Sequence, residues 1–169
     1  MSAPVTIAPA RVKDAPAMAA YMAALKAEPG LDTIGTAPAP SVEAQRILVR
    51  KAQAAERACI LLAWAGEEMV GQADLWPGEQ PDVAHAGTLG ISVAKAWRGA
   101  GLGRRLMAAT IAQAKAWEGF CRIELEVTAW NARAIGLYES LGFVVEGAKR
   151  KALNRRGRHE DLLVMGLIW

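Results

Sequence analysis

The sequence predicts an α/β protein in which a mixed, mostly antiparallel sheet carries helices on both faces. Three observations predict it. A strand-like run, a glycine-rich loop, a helical run and a second strand-like run follow one another between residues 86 and 128, as in a βαβ unit with parallel strands. Elsewhere, pairs of apolar runs flank short turns, as antiparallel hairpins do. The composition, 53% hydrophobic and 22% charged over 169 residues, is that of a folded chain, expected to form a single domain over 1–169.

Taken in order, "VTIAP" reads as a first strand, and Asp14 opens an Ala/Met-rich helix that ends near "EPG". "LDTIGTAPAP" is a Pro/Gly loop. Ser41 caps a second helix reaching about Glu56, since its hydroxyl can accept a free N–H of the first turn. "ACILLAWA" and "EMVGQADLW" flank Gly66-Glu67 as a hairpin, and "PGEQPD" is a turn. "AHAGTLGISV" is the fourth strand, where Gly87 and Gly90 mark a bulge or a close approach. After the loop "RGAGLGRRLM" a helix runs to about Glu118, with Leu102, Leu106 and Ala109 turned to the sheet. "CRIELEVT" sets Ile123, Leu125 and Val127 on one face and Glu124 and Glu126 on the other. Asn131 caps a short helix, "ARAIGLYESL", which Gly142 ends, and "FVVEGAKRKAL" with "RHEDLLVMGLI" forms a closing hairpin.

Several function classes are excluded at this point. No stretch nears 18 uninterrupted apolar residues, so no membrane span or membrane partner is expected. "MSAPVTIAPARVKD" lacks the basic start and apolar run of a signal peptide. Cys59 and Cys121 sit in apolar strand-like runs and read as buried free thiols of a reducing compartment, so a cytoplasmic location is expected. The net charge of +3 is too small to argue for nucleic acid. Lys149, Arg150, Lys151, Arg155, Arg156 and Arg158 do cluster, as a phosphate site or a solvated hairpin tip would. Aromatic residues do not interleave them, so nucleic acid is not the expected partner.

The loop itself carries chemistry. Gly99, Gly101 and Gly103 let backbone approach a ligand closely, and the helix that follows presents free N–H groups and the positive end of its dipole. Arg98, Arg104 and Arg105 add charge, so the expected guest is a phosphate or pyrophosphate. No lysine follows the glycines, which excludes a Walker A loop, and Arg104 or Leu106 stands where a dinucleotide fingerprint needs its third glycine. What remains is Arg98-x-x-Gly101-x-Gly103 between a strand and a helix.

That pattern resembles the acyl-CoA pyrophosphate loop of the GNAT family of N-acetyltransferases. "LGISVAKAWRGAGLGRRLM" is similar to the family's strand–loop–helix block, and "LEVTAWNARAIGLYESLGF" to the next, with Asn131, Tyr138 and Gly142-Phe143 on the usual pattern. "EGAKRKALNRRGRHEDLLVMGL" is similar to its closing hairpin. The resemblance is strong from about Leu89 to Leu167 and weak before Ile60.

The resemblance implies the GNAT fold, acetyl-CoA as donor, a primary amine as acceptor and no metal. The pyrophosphate would sit on backbone N–H groups from Arg98, Gly99 and Ala100 through Gly101, Leu102 and Gly103 to Arg104. The pantetheine arm would pair with the strand edge from Leu89 to Val93, where that strand splays from the next. A backbone N–H among Ile91, Ser92 and Val93 would polarise the thioester carbonyl and stabilise a tetrahedral intermediate. Tyr138, the motif tyrosine, would protonate the departing thiolate. The amine must also shed a proton. Many members place a glutamate on the fourth strand for this, and "AHAGTLGISV" has no carboxylate. Members that modify ribosomal-protein N-termini place one five residues before the motif asparagine, which here is Glu126. His85 is a second candidate, and Trp130 is either a wall of the acceptor pocket or core. The acceptor could be an amino acid, a small amine or a protein N-terminus. A non-catalytic acyl-CoA sensor is the alternative, although it would have no use for Tyr138. The apolar end "LLVMGLIW" adds the expectation of a homodimer.

Overall fold

The computed structural model describes residues 4–28, 38–155 and 157–169. Residues 31–37 of the Pro/Gly loop and Arg156 of the basic cluster lie outside the described residues. The chain runs β1 (Val5–Pro9), α1 (Ala15–Lys26), α2 (Val42–Ala54), β2 (Cys59–Ala65), β3 (Glu68–Pro77), β4 (Ala86–Val93), α3 (Leu102–Lys115), β5 (Arg122–Thr128), α4 (Ala132–Glu139), β6 (Val144–Arg155) and β7 (Arg158–Ile168). The strands form one seven-stranded sheet in the order β1-β2-β3-β4-β5-β7-β6. Every pairing is antiparallel except β4 with β5.

Helices cover both faces, as expected, and β2 shows why. Its run Cys-Ile-Leu-Leu-Ala is buried at every residue, which requires cover on either side. Ile60 and Leu62 pack on Met18, Tyr21 and Leu25 of α1 and Val49 of α2. Leu61 and Ala63 point the other way, onto Leu102 and Leu106 of α3. The same side of the sheet continues through Ile123, Leu125 and Val127 of β5, which bury against Met107 and Ile111 of α3 and Tyr138 of α4. The alternation in "CRIELEVT" is therefore the inside–outside alternation of a strand with one covered face.

Local differences from the sequence reading have local causes. Asp14 stands before α1, but its carboxylate accepts the Arg11 N–H at 2.8 Å and closes a short 3₁₀ turn instead of capping the helix. Ser41 does cap α2, accepting the Ala44 N–H at 3.2 Å. The helix expected to reach Glu118 ends at Lys115. There the chain tightens so that Trp117 meets the Phe120 ring edge-on at 5.2 Å, and Gly119 turns with φ +70°. Cys59 is buried as expected, whereas Cys121 lies just before β5 and is half-buried. In the closing hairpin β6 carries two irregularities, after Val145 and between Lys149 and Leu153. The second includes Lys151 at φ +52°, with the Lys151 N–H bonded to Asp161 Oδ1 at 2.7 Å. Such bulges bend a strand and re-aim its side chains, and beyond this one Leu153 and Arg155 line the cleft described next.

Candidate active site

The parallel pairing of β4 with β5 covers three residue pairs, Ala86 with Arg122, Gly87 with Ile123 and Thr88 with Glu124. Beyond Thr88 the strands part, although β4 continues to Val93 and β5 to Thr128. From Leu89 to Val93 the β4 backbone therefore lacks a strand partner on this side, while β3 holds it on the other through Val93. The gap is a cleft of about 770 Å³. Leu89, Ile91 and Val93 form one wall, Leu125 and Val127 the other, and α4 adds Ala134, Leu137 and Tyr138.

The glycine loop closes one end. Gly99 and Gly101 both adopt φ +83°, a backbone state that side chains disfavour, and Gly101 is the residue preceding α3. The first α-helical bond there runs from the Arg105 N–H to the Gly101 carbonyl at 3.1 Å. The N–H groups of Leu102, Gly103 and Arg104 thus head the helix without intrahelical partners, as a helix start requires. A Cβ on Gly103 would stand 3.3 Å from Leu137, so the absent side chain lets α3 approach α4 at the cleft. The Arg98 N–H bonds the Lys95 carbonyl, and so the open run of N–H groups starts at Gly99 rather than Arg98.

The arginines divide differently from the expectation. Arg98 lines the cleft, yet its guanidinium makes two bonds to Glu28, at 2.6 and 2.8 Å, and its Nε donates to the Val93 carbonyl at 2.8 Å. It fastens the end of α1 to the end of β4. Arg105 points away and donates to the Val5 carbonyl at 2.7 Å. Arg104 lines the cleft and donates to Ser140 Oγ at 2.6 Å. Sequence reasoning missed Arg133, which also lines the cleft and whose Nη2 lies 3.1 Å from the position of a Cβ on Gly99. Its place two residues after Asn131, in the first turn of α4, was the available signal.

Asn131 caps α4 as read, accepting the Ala134 N–H at 3.1 Å. Tyr138 is buried, with its ring 6.0 Å from Phe143, and faces the cleft. Burial pushes its hydroxyl up to about 12, which keeps it protonated through the neutral range. Glu126 lines the cleft from β5 with its Oε1 in an ion pair with the Lys149 ammonium. His85 precedes β4, at the closed end of the strand pair, and does not line the cleft. Trp130 is half exposed and is a wall rather than core, held by a 3.0 Å bond from its Nε1 to Glu160. That bond, with Arg158 and Arg155 adding to it, lowers the Glu160 carboxyl below its usual range. Several cations of the basic cluster are therefore spent on acidic neighbours: Lys149 on Glu126, Arg155 and Arg158 on Glu160.

Among the described residues no group of His, Cys, Asp and Glu could hold a metal ion. Among the described residues no helix is long and apolar enough to cross a membrane. The arrangement can hold an anion on backbone N–H groups, extend an amide-bearing chain along an open strand edge and deliver one proton from Tyr138.

Comparison with known proteins agrees with this geometry. A profile described as "Acetyltransferase (GNAT) family" matches residues 23–143. The L-amino acid N-acetyltransferase AaaT of Escherichia coli is 32% identical over 108 residues, 64% of this chain and 67% of that protein. A GNAT acetyltransferase from Streptococcus pneumoniae superposes with a TM-score of 0.91 at 27% identity, covering 98% of this chain and 100% of that one. The Salmonella typhimurium protein yncA, solved with its cofactor acetyl-CoA, shares the fold at a TM-score of 0.87 and 23% identity, over 98% of this chain and 94% of that one. The chain belongs to the acetyltransferase (GNAT) family. It is an N-acetyltransferase of that family, whose co-substrate is acetyl-CoA.

Tyr138 and Tyr21 are the chain's two tyrosines, and burial pushes both hydroxyls up to about 12. Unfolded tyrosines ionise near 10. Between these values the unfolded chain loses protons that the folded chain keeps, so stability is full below pH 10 and falls as pH rises toward 12. A spectrophotometric titration of the native protein should show almost no tyrosinate at pH 10, and denaturant should restore an ordinary tyrosine titration.

Proposed function

We propose that the chain moves the acetyl group of acetyl-CoA onto the α-amine of an amino acid, and that the reaction takes place in the cleft between β4 and β5. The observation that carries this reading is the strand edge from Leu89 to Val93, which is open and runs directly into the glycine loop. One continuous segment thereby offers an anion cradle, an edge for the amides of pantetheine and N–H groups at Ile91, Ser92 or Val93 for the thioester oxygen. The similarity to an L-amino acid N-acetyltransferase supports the acceptor class.

The residues then divide the work. Gly99, Ala100, Gly101, Leu102, Gly103 and Arg104 hold the pyrophosphate, with Arg133 beside them. Arg98 keeps the loop and β4 in register through Glu28 and the Val93 carbonyl. Asn131 fixes the start of α4 and so the placing of Tyr138. Tyr138 gives its hydroxyl proton to the departing sulfur. Glu126 stands at the cleft as the sequence suggests, and a base role for it requires the ion pair with Lys149 to open as the amine enters.

We read residues 1–169 as one domain working in the cytoplasm as a homodimer. The apolar residues Val144 and Ile168 support the pairing: both are 66% exposed and near one another on β6 and β7. Exposed apolar groups of this kind gain from a partner surface. Light scattering at micromolar concentration should give the mass of two chains, and a single-chain mass removes the dimer.

Gly103→Asp tests the cradle: an acidic residue suits the first turn of a helix, and the new Cβ, 3.3 Å from Leu137, asks only that the flexible end of that side chain give by a few tenths of an ångström. The new carboxylate would meet the phosphates, and acetyl-CoA affinity measured by calorimetry should fall by about two orders of magnitude. Unchanged affinity would place the pyrophosphate elsewhere. Tyr138→Phe keeps the packed ring and removes only the proton. Turnover with an L-amino acid should drop about 10- to 1,000-fold, and the Michaelis constant for acetyl-CoA should barely move. Full activity in this variant would mean that the thiolate leaves unassisted.

A further inference from the structure

From Ala86 to Val93, β4 carries no titratable side chain. The adjacent strand does. Asp74 of β3 lies opposite Gly90 of β4 and beside Ile60 of β2, a residue packed under α1 and α2. A Cβ on Gly90 would stand 3.1 Å from Asp74 Oδ1 and 3.4 Å from Oδ2. The carboxylate thus spreads over bare backbone at a residue that lines the cleft. It is also fixed in place, because Trp76 Nε1 donates to Oδ2 at 2.8 Å. One step along the same face, Gln72 lies opposite Ser92. Gln72 is 92% buried by its 8% exposure, and its Oε1 has no hydrogen-bond partner. Ser92 Oγ accepts the Tyr21 hydroxyl at 3.1 Å and lines the cleft. A carboxylate, an unused amide oxygen and a hydroxyl oxygen together suit an ammonium group better than any anion.

We propose that Asp74 receives the ammonium group of the acceptor and takes its proton, with Gly90 as the opening through which the amine reaches both the carboxylate and the cleft. This rests on the acetyl-transfer reading above. One N–H bond of the ammonium breaks, and its proton passes to the Asp74 carboxylate. The freed lone pair forms the C–N bond while the C–S bond breaks with its electron pair on sulfur. Tyr138 protonates that sulfur, and the second proton shed by the nitrogen restores Tyr138, so one amide, one thiol and one proton on Asp74 result.

The surroundings favour a proton on this carboxyl. Burial raises its affinity for one, while the Trp76 indole and the Gln72 amide oppose the shift. The titratable and charged groups on the packed elements are Tyr21 and Lys26 of α1, Cys59 of β2, and Glu43, Arg46, Arg50 and Lys51 of α2, of which Glu43 and Arg46 pair with each other. Burial holds Tyr21 and Cys59 neutral, at about 12 and about 11. Lys51 sits 5.6 Å over the Trp76 ring. At the end of α1 the Glu28 and Arg98 charges are paired with each other.

The test uses the full chain with acetyl-CoA, the twenty L-amino acids and an alanine-ended peptide, reading released thiol. Asp74→Asn can keep the bond from Trp76 but cannot take a proton. With the best acceptor its kcat/KM for the amine should fall about 100-fold or more at pH 7 and recover toward the amine's own pKa. Acetyl-CoA affinity by calorimetry should stay as in the wild type, which shows the fold intact. Gly90→Ala sets a methyl 3.1 Å from Asp74 Oδ1, so the carboxylate gives by a few tenths of an ångström and is covered, and the amine's Michaelis constant should rise. Wild-type rates and an unchanged pH profile in Asp74→Asn overturn the assignment. So does a pH-dependent loss found in Glu126→Gln alone, which sends the proton to Glu126. A wild-type protein that acetylates none of the panel overturns the acceptor reading itself, and this assignment with it.

Discussion

The early parting of β4 from β5 is the constraint on which the rest of the site depends. Two parallel strands that remained paired to their ends would satisfy their backbone groups and leave no cleft. Here the pairing stops at Thr88 and Glu124. The unpaired edge is tolerated because β3 holds β4 along its whole outer side and because Arg98 ties the end of β4 to α1. The cost of the open edge and its use are thus the same fact: polar backbone that the sheet leaves unpaired is available to an extended ligand.

Charge in the molecule is arranged with similar economy. The chain carries an excess of three positive charges, but much of the cationic chain is already committed. Arg98 belongs to Glu28, Arg122 to Glu146 and Glu124, Lys149 to Glu126, and Arg155 and Arg158 to Glu160. Arg104 and Arg133 stand at the cleft near the glycine loop. An anion arriving there meets local positive charge and helix N–H groups rather than a uniformly basic surface, which favours a ligand of defined shape over a polyanion.

Much of this was legible in the chain, for reasons of range. The loop, the cap at Asn131, the cap at Ser41 and the alternation of "CRIELEVT" are encoded within a few residues, and local geometry reads them directly. Tyr138 in a helix beside the gap followed from its motif. What sequence could not carry was partnership over distance. Glu28 and Arg98 are 70 residues apart, so nothing near Arg98 announces that its guanidinium is taken. Glu126 was readable as a strand carboxylate, but its pairing with Lys149 depends on the hairpin's irregular register. Nothing in "EMVGQADLW" marks Asp74, and only the register of β3 on β4 sets it over a glycine. The early end of α3 is tertiary too, decided by where Trp117 and Phe120 pack.

The seven strands fall into two groups, β1 to β4 and β5 to β7, joined in the sheet by three residue pairs. Apart from those pairs, the groups are bridged by α3, whose residues bury against both. A ligand laid along Leu89 to Val93 would act as a missing structural member, adding pairing at the seam where the sheet has least. Part of its binding energy would go into bracing one half of the molecule against the other. Resistance to unfolding would then rise with ligand concentration, and the enzyme would be a tighter body in the act of turnover than at rest.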